Sequence, residues 1–244
     1  MSMDGVLKAL GFAFRSALHP KVIALTIWPV LAALALWGGL AWLHWSDWSR
    51  GIGDLLAGTG AGGFLAQLGL AGLLRASAPL LILLLLVPAI LITALVLAAT
   101  FAMPMIVDFV AARCYLTLER LHGGTVAGSC FNALVAGLVF AALWIVTLPL
   151  LFTGVLAPVV PVVLSAYLNQ RLFRYDALAE HASADEYRAI VDAEWKGMYA
   201  LGLALAPLYF VPFLNLLAPT LSGLAYAHLA LARLAALRAN RPPA

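Results

Sequence analysis

Residues 78–107 read APLLILLLLVPAILITALVLAATFAMPMIV, and no charge lies between Arg75 and Asp108. A helix rises about 1.5 Å per residue, so about 20 apolar residues cross the hydrocarbon core of a bilayer. This run is longer, and no rotation of it offers a polar face to water. It predicts a transmembrane helix over 78–107, kinked at Pro88 and Pro104, where proline removes a backbone donor. Beyond it, VDFVAARCYLTLERLHGG places Asp108, Arg113, Glu119 and Arg120 at amphipathic spacing. That pattern predicts a cytoplasmic extension of the helix to about residue 122, ended by Gly123-Gly124 as a C-cap signal.

The composition points the same way. Of 244 residues, 64% are hydrophobic and 10% charged, against about 25% charged in globular domains. Too few charges are present to cover a soluble surface. The expected class is all-α, a polytopic membrane helical bundle forming one membrane domain over 1–244, with the lipid bilayer as its surroundings. The net charge is +3. Its basic residues stand singly at the ends of apolar runs, as the positive-inside rule and snorkelling require. No basic cluster suggests nucleic acid.

Outward from the central stretch, Val6, Leu7, Leu10, Phe14 and Leu18 recur at helical spacing, predicting an amphipathic helix over 3–18, either on the cytoplasmic membrane surface or as an ordinary N-terminal packing helix. His19-Pro20 breaks it. A second long span is expected over 22–45, kinked at Pro29, with Trp37, Trp42, Trp45 and Trp48 forming an aromatic belt at its far end. The segment 46–77 is expected outside, with a short interfacial helix over 65–74 and a flexible turn at its GAGG run. Two helical hairpins are expected over 131–168 and 197–232. The first turns at Pro149, Gly154 and Pro158, the second at Pro212, Asn215 and Pro219. Both a full crossing and a re-entrant path fit their lengths. Ser183-Ala184-Asp185-Glu186 is a capping box that opens a separate charged helix over 183–195. Charge bias puts both termini in the cytoplasm, with dual insertion as the alternative.

Catalytic patterns are missing. The five histidines form no close pair, no serine sits in a nucleophile elbow, and Cys114 and Cys130 lack metal-site companions. The reading is of a protein that is not an enzyme and needs no cofactor or metal. Paired short, Pro-interrupted hydrophobic segments point instead to transport. A helix start offers free N–H groups and a positive dipole end. His19-Pro20-Lys21 places a cation at such a start, which makes His19 and Lys21 the anion-site candidates.

Several features together resemble the CysZ-type sulfate permease and etoposide-induced protein 2.4 family. They are Pro20-Lys21 with Pro29, Pro104 opening the amphipathic extension, Tyr175-Asp176, and Pro212-Phe-Leu-Asn215-Leu-Leu-Ala-Pro219 with Gly223. The resemblance covers about Val6 to Arg233. It implies two long transmembrane helices, two hairpins that cross only partly, homo-oligomerisation, and channel-like passage of a small anion, sulfate in that family. It implies an anion site at the cytoplasmic start of the first long helix, built there from consecutive arginines. This chain has Lys21-Val22 instead, one cation for two, without bidentate guanidinium chemistry. It also has Ala32 and Ala33 where the family pattern implies an asparagine soon after Pro29. The alternative is a non-transporting protein of the same family that organises the membrane or binds other proteins.

Overall fold

A computed structural model describes residues 3–69, 71–211 and 214–240. Pro212 lies outside them. They form nine α-helices and no strand: α1 (Met3–Ala17), α2 (Pro20–Ala57), α3 (Gly60–Gln67), α4 (Ala71–Leu97), α5 (Met103–Cys114), α6 (Val126–Leu151), α7 (Val159–Ala179), α8 (Ala184–Leu205) and α9 (Leu214–Ala239). Four segments are long and apolar enough to cross a bilayer: Pro20–Ala57, Ala76–Ala94, Ala127–Leu151 and Leu214–Ala239. The chain is an all-helical membrane protein. Where the sequence suggests one domain, its contacts divide it into two compact units, Ile27–Ala99 and Met1–Thr26 with Thr100–Ala244.

The unit Ile27–Ala99 carries most of α2, with α3 and α4. Leu80, Leu84, Leu91 and Ile92 are exposed along α4, as expected where lipid replaces water. Thr93 breaks that apolar surface, and its hydroxyl accepts from the Trp37 indole N–H at 2.9 Å. Trp37 thus differs from its belt companions in spending its donor on a neighbouring helix. The expected helix over 65–74 is not continuous: α3 ends at Gln67, Gly69 takes φ +72°, and α4 starts at Ala71. The GAGG run, expected as a turn, is part of α3.

At the other end of α4, Ala98–Ala102 widens into a π-helical turn before Pro104. The proline ring would press on the Thr100 carbonyl in a regular helix, and the wider turn removes that conflict. The helix then stops at Cys114, short of the expected 122. Arg120 Nη2 reaches Asp108 Oδ1 at 2.6 Å. Twelve residues along a helix would separate them by about 18 Å, so the chain must fold back. The amides of His122, Gly123 and Gly124 bond to the carbonyls of Glu180, Ala182 and Ala179 at 2.9, 3.0 and 2.8 Å. Gly123-Gly124 is therefore a docking point, not a C-cap.

In this second unit α9 is the central helix. It is buried along nearly all of Ala218–Leu234 and packs against α1, α5, α7 and α8. The sequence reading made it half of a short hairpin; its alanines and Gly223 instead let neighbouring helices approach closely. Pro219 consequently lies inside α9, and Asn215 in its first turn, rather than in a corner. The helix expected over 183–195 runs on to Leu205 as α8. Within it, a side chain at Gly202 would meet the Ala166 carbonyl of α7 at 2.7 Å, so tight packing requires the glycine. The capping box holds as expected, with Glu186 N–H donating to Ser183 Oγ and Ser183 N–H to Glu186 Oε2. The first hairpin spans α6 and α7. It starts at Val126, earlier than expected, because Thr125 Oγ1 caps the Gly128 N–H at 3.0 Å. Between the two helices, Pro149 lies in the last turn of α6, Gly154 takes φ +72°, and Pro158 is the N-cap of α7.

His181, between α7 and α8, is buried at 1% exposure. Burial first, then the Arg120 charge, pushes its pKa below the ordinary value. The unfolded chain therefore binds this proton more readily than the fold does. Stability from this group is complete above about pH 6.5 and declines as pH falls below it. The melting temperature in detergent should drop between pH 7.5 and 5.5, and His181→Gln should flatten that slope.

Candidate functional site

The start of α2 differs in one respect from the open helix terminus expected of it. Pro20 has no N–H. Lys21 N–H donates to His19 Nδ1 at 3.2 Å, and the amides of Val22 and Ile23 donate to the His19 carbonyl at 2.9 and 3.0 Å. His19 is the cap, and the first amides are already used. An anion here would be held by side chains and by the dipole of α2, not by bare backbone donors. The capping bond requires a lone pair on Nδ1, which places the proton of a neutral His19 on Nε2.

Two cavities flank this capped turn. An open groove of about 690 Å³ is lined by His19, Lys21, Leu25, Asp108, Phe109 and Arg113, among others. The second, about 850 Å³, lies toward α1 and is lined by Lys8, Phe12, Arg15, His19, Arg113 and His228, with apolar Leu7 and Leu18. His19 and Arg113 border both. The His19 ring tilts against Phe109 at 5.1 Å, and the Arg113 guanidinium sits 5.7 Å from the same ring. Phe109 is thus the common floor that positions the histidine and the arginine.

The electrostatics are one-sided. Among the described residues, Lys8, Arg15, Lys21 and Arg113 make no ion pair. Asp108, the carboxylate on the groove wall, is held by Arg120 at 2.6 Å, and Arg120 also reaches Glu180 at 3.4 Å. Such exposed pairs add little stability, about 0–1 kcal/mol. The pairing nevertheless turns the acid toward Arg120 and leaves the groove cations uncompensated.

A profile of the family described as sulfate transporter CysZ/etoposide-induced protein 2.4 matches residues 9–219. The chain belongs to this family. No curated protein and no solved structure matches it. In this member of the CysZ/etoposide-induced protein 2.4 family, His19 and Lys21 both line the 690 Å³ groove. The corner residues Pro149, Gly154, Pro158, Asn215 and Pro219 line neither cavity.

The sequence reading did not assign Arg113, Lys8, Arg15 or His228 to this place. Arg113 reads as decoration on an amphipathic extension. Its signal was available in one form only: it lies one turn beyond Phe109, on the helix that Pro104 opens.

Proposed function

We propose that this chain is a membrane transport protein for a small inorganic anion, with sulfate the first candidate, by facilitated or channel-like passage. In this reading it lies in the bacterial inner membrane as a homo-oligomer, with both termini cytoplasmic. The observation that carries the proposal is the groove beside the capped start of α2. It gathers Lys21 of α2 and Arg113 of α5 while its carboxylate is engaged elsewhere. Arg113 supplies, from another helix, the second cation missing beside Lys21. Its planar fork restores the geometry that suits a tetrahedral oxyanion. Family membership supports the same reading. So does the interior: Arg174 is buried, its Nη1 donating to the neutral Gln170 amide at 3.1 Å. A cation so placed favours anions over cations nearby.

The test is radiolabelled sulfate uptake into proteoliposomes holding the purified protein, against empty liposomes. Uptake should saturate. Lys21→Ala and Arg113→Ala should each reduce it about tenfold or more, the loss expected for a hydrogen bond to a charged group. No saturable uptake by folded wild-type protein would overturn transport of sulfate. Saturable uptake unaffected by both variants would overturn the groove assignment.

A further inference from the structure

The second cavity has a chemistry that a bare anion does not explain. Helix α1 carries three different faces. Val6, Ala9, Ala13 and Ser16 are buried, where α1 packs against α8 and α9. Met3, Leu7 and Phe14, continued by Leu18, are exposed; Leu7 is 61% and Leu18 81% exposed. At about 100° per residue these four fall within about 60° of the helical wheel. Lys8 and Arg15 are seven residues apart and stand about 20° from each other, on a third stripe beside the apolar one. The small residues dock the helix to its own chain. Leu10 and Phe12 also pack against the core, which leaves Met3, Leu7, Phe14, Leu18 and the two cations facing outward together.

The cavity brings the two outward stripes to one place. Lys8, Arg15 and Arg113 line it with His19 and His228, no carboxylate among the described residues lines it, and Leu7 and Leu18 form part of its edge. Its 850 Å³ far exceeds what a bare oxyanion needs, since a water occupies about 30 Å³. It also adjoins the residue at which the apolar span of α2 begins, so it belongs at the level of the lipid headgroups.

We propose that this cavity binds the phosphate headgroup of an anionic phospholipid. Lys8, Arg15 and Arg113 contact the phosphate, while Leu7, Phe14 and Leu18 enter the adjoining acyl layer. A zwitterionic lipid brings its own cation and gains less from three protein cations. The inference stands apart from transport, although the site shares His19 and Arg113 with the anion groove.

The test uses the full chain in mild detergent. Short-chain phosphatidylglycerol, short-chain phosphatidylcholine and inorganic phosphate are titrated separately. Binding is read by thermal shift and by the lipid retained in native mass spectrometry. Phosphatidylglycerol should bind and raise the melting temperature; phosphatidylcholine and phosphate at equal concentration should not. Lys8→Gln with Arg15→Gln should weaken phosphatidylglycerol binding about thirtyfold, from about 1 kcal/mol per basic residue at an anionic surface. Lys21→Gln should leave it unchanged while lowering uptake, which separates failure here from failure of the transport reading. Equal binding of phosphatidylcholine would overturn the headgroup assignment. Equal binding of phosphate would reassign the cavity to free anions, and an unaffected double variant would remove Lys8 and Arg15 from the site. Were the double variant not to fold, the comparison of the three ligands on wild-type protein decides alone.

Discussion

Arg238→Met should lower stability by about 3–5 kcal/mol, the usual cost of removing one partner from a buried ion pair. At about 2–4 °C per kcal/mol for a chain of this size, the melting temperature should fall by about 10 °C. Glu186 is 1% exposed and is gripped by both ends of the Arg238 fork, Nε to Oε1 at 3.0 Å and Nη2 to Oε2 at 2.9 Å. The same arginine donates to the His181 carbonyl at 2.6 Å and to the Glu119 carbonyl at 2.9 Å. One guanidinium therefore joins the end of α9, the capping box of α8, the α7–α8 turn and the loop after α5. Methionine retains much of the packing volume but removes the guanidinium that grips the buried carboxylate. Adding Glu186→Gln to Arg238→Met should recover part of the loss, since it removes that charge and keeps an oxygen for the cap. Thermal melts of the two variants in detergent, followed by tryptophan fluorescence, make the comparison. A loss under 1 kcal/mol in the single variant would show that the clamp is not the strong contact its geometry implies.

The clamp also shows where sequence reasoning stopped. The capping box was legible because its two members lie three residues apart and act within one turn. So were the long apolar runs, whose length and lack of charge are local properties. Arg238 and Glu186 are 52 positions apart, and nothing local to either names the other. The same holds for Arg120 with Asp108 and for Arg113 beside Lys21. Helix α9 was misread for a different reason. In a membrane protein, apolar residues face lipid and core alike, so hydrophobicity alone does not say which helix is central. The clue was the run of small residues over Ala218–Ala230, which favours helix contact over lipid contact. In α1 Ala9, Ala13 and Ser16 are docked together with Val6, Leu10 and Phe12, whereas Met3, Leu7 and Phe14 are outward. The amphipathic pattern therefore identified the helix but not which of its apolar residues dock against the chain.

Gly123→Ala should be comparably damaging, and it should reach the anion groove from a distance. A Cβ at Gly123 would lie 2.3 Å from the Ala182 carbonyl oxygen and 2.8 Å from Ser183 backbone atoms. No side chain can move aside there, so the loop itself must lift from the α7–α8 turn. Three consecutive backbone hydrogen bonds, from His122, Gly123 and Gly124, stretch together. They also hold His122 at φ +48°, in the left-handed region that side chains disfavour. At about 1 kcal/mol for each of the three bonds, the loss should be about 3 kcal/mol before the conflict itself is added. The loop also carries Arg120, whose contacts to Asp108 and Glu180 keep the groove carboxylate occupied. Once the loop lifts, Asp108 becomes available to Arg113 and competes with an incoming anion. Gly123→Ala should therefore lower both the melting temperature and sulfate uptake at temperatures where the variant is still folded. Arg120→Ala separates the two effects: it should reduce uptake several-fold with little change in melting temperature, because the pair it breaks is half exposed. Uptake unchanged in Arg120→Ala would mean that Asp108 does not oppose the anion, and the loop would then act on stability alone.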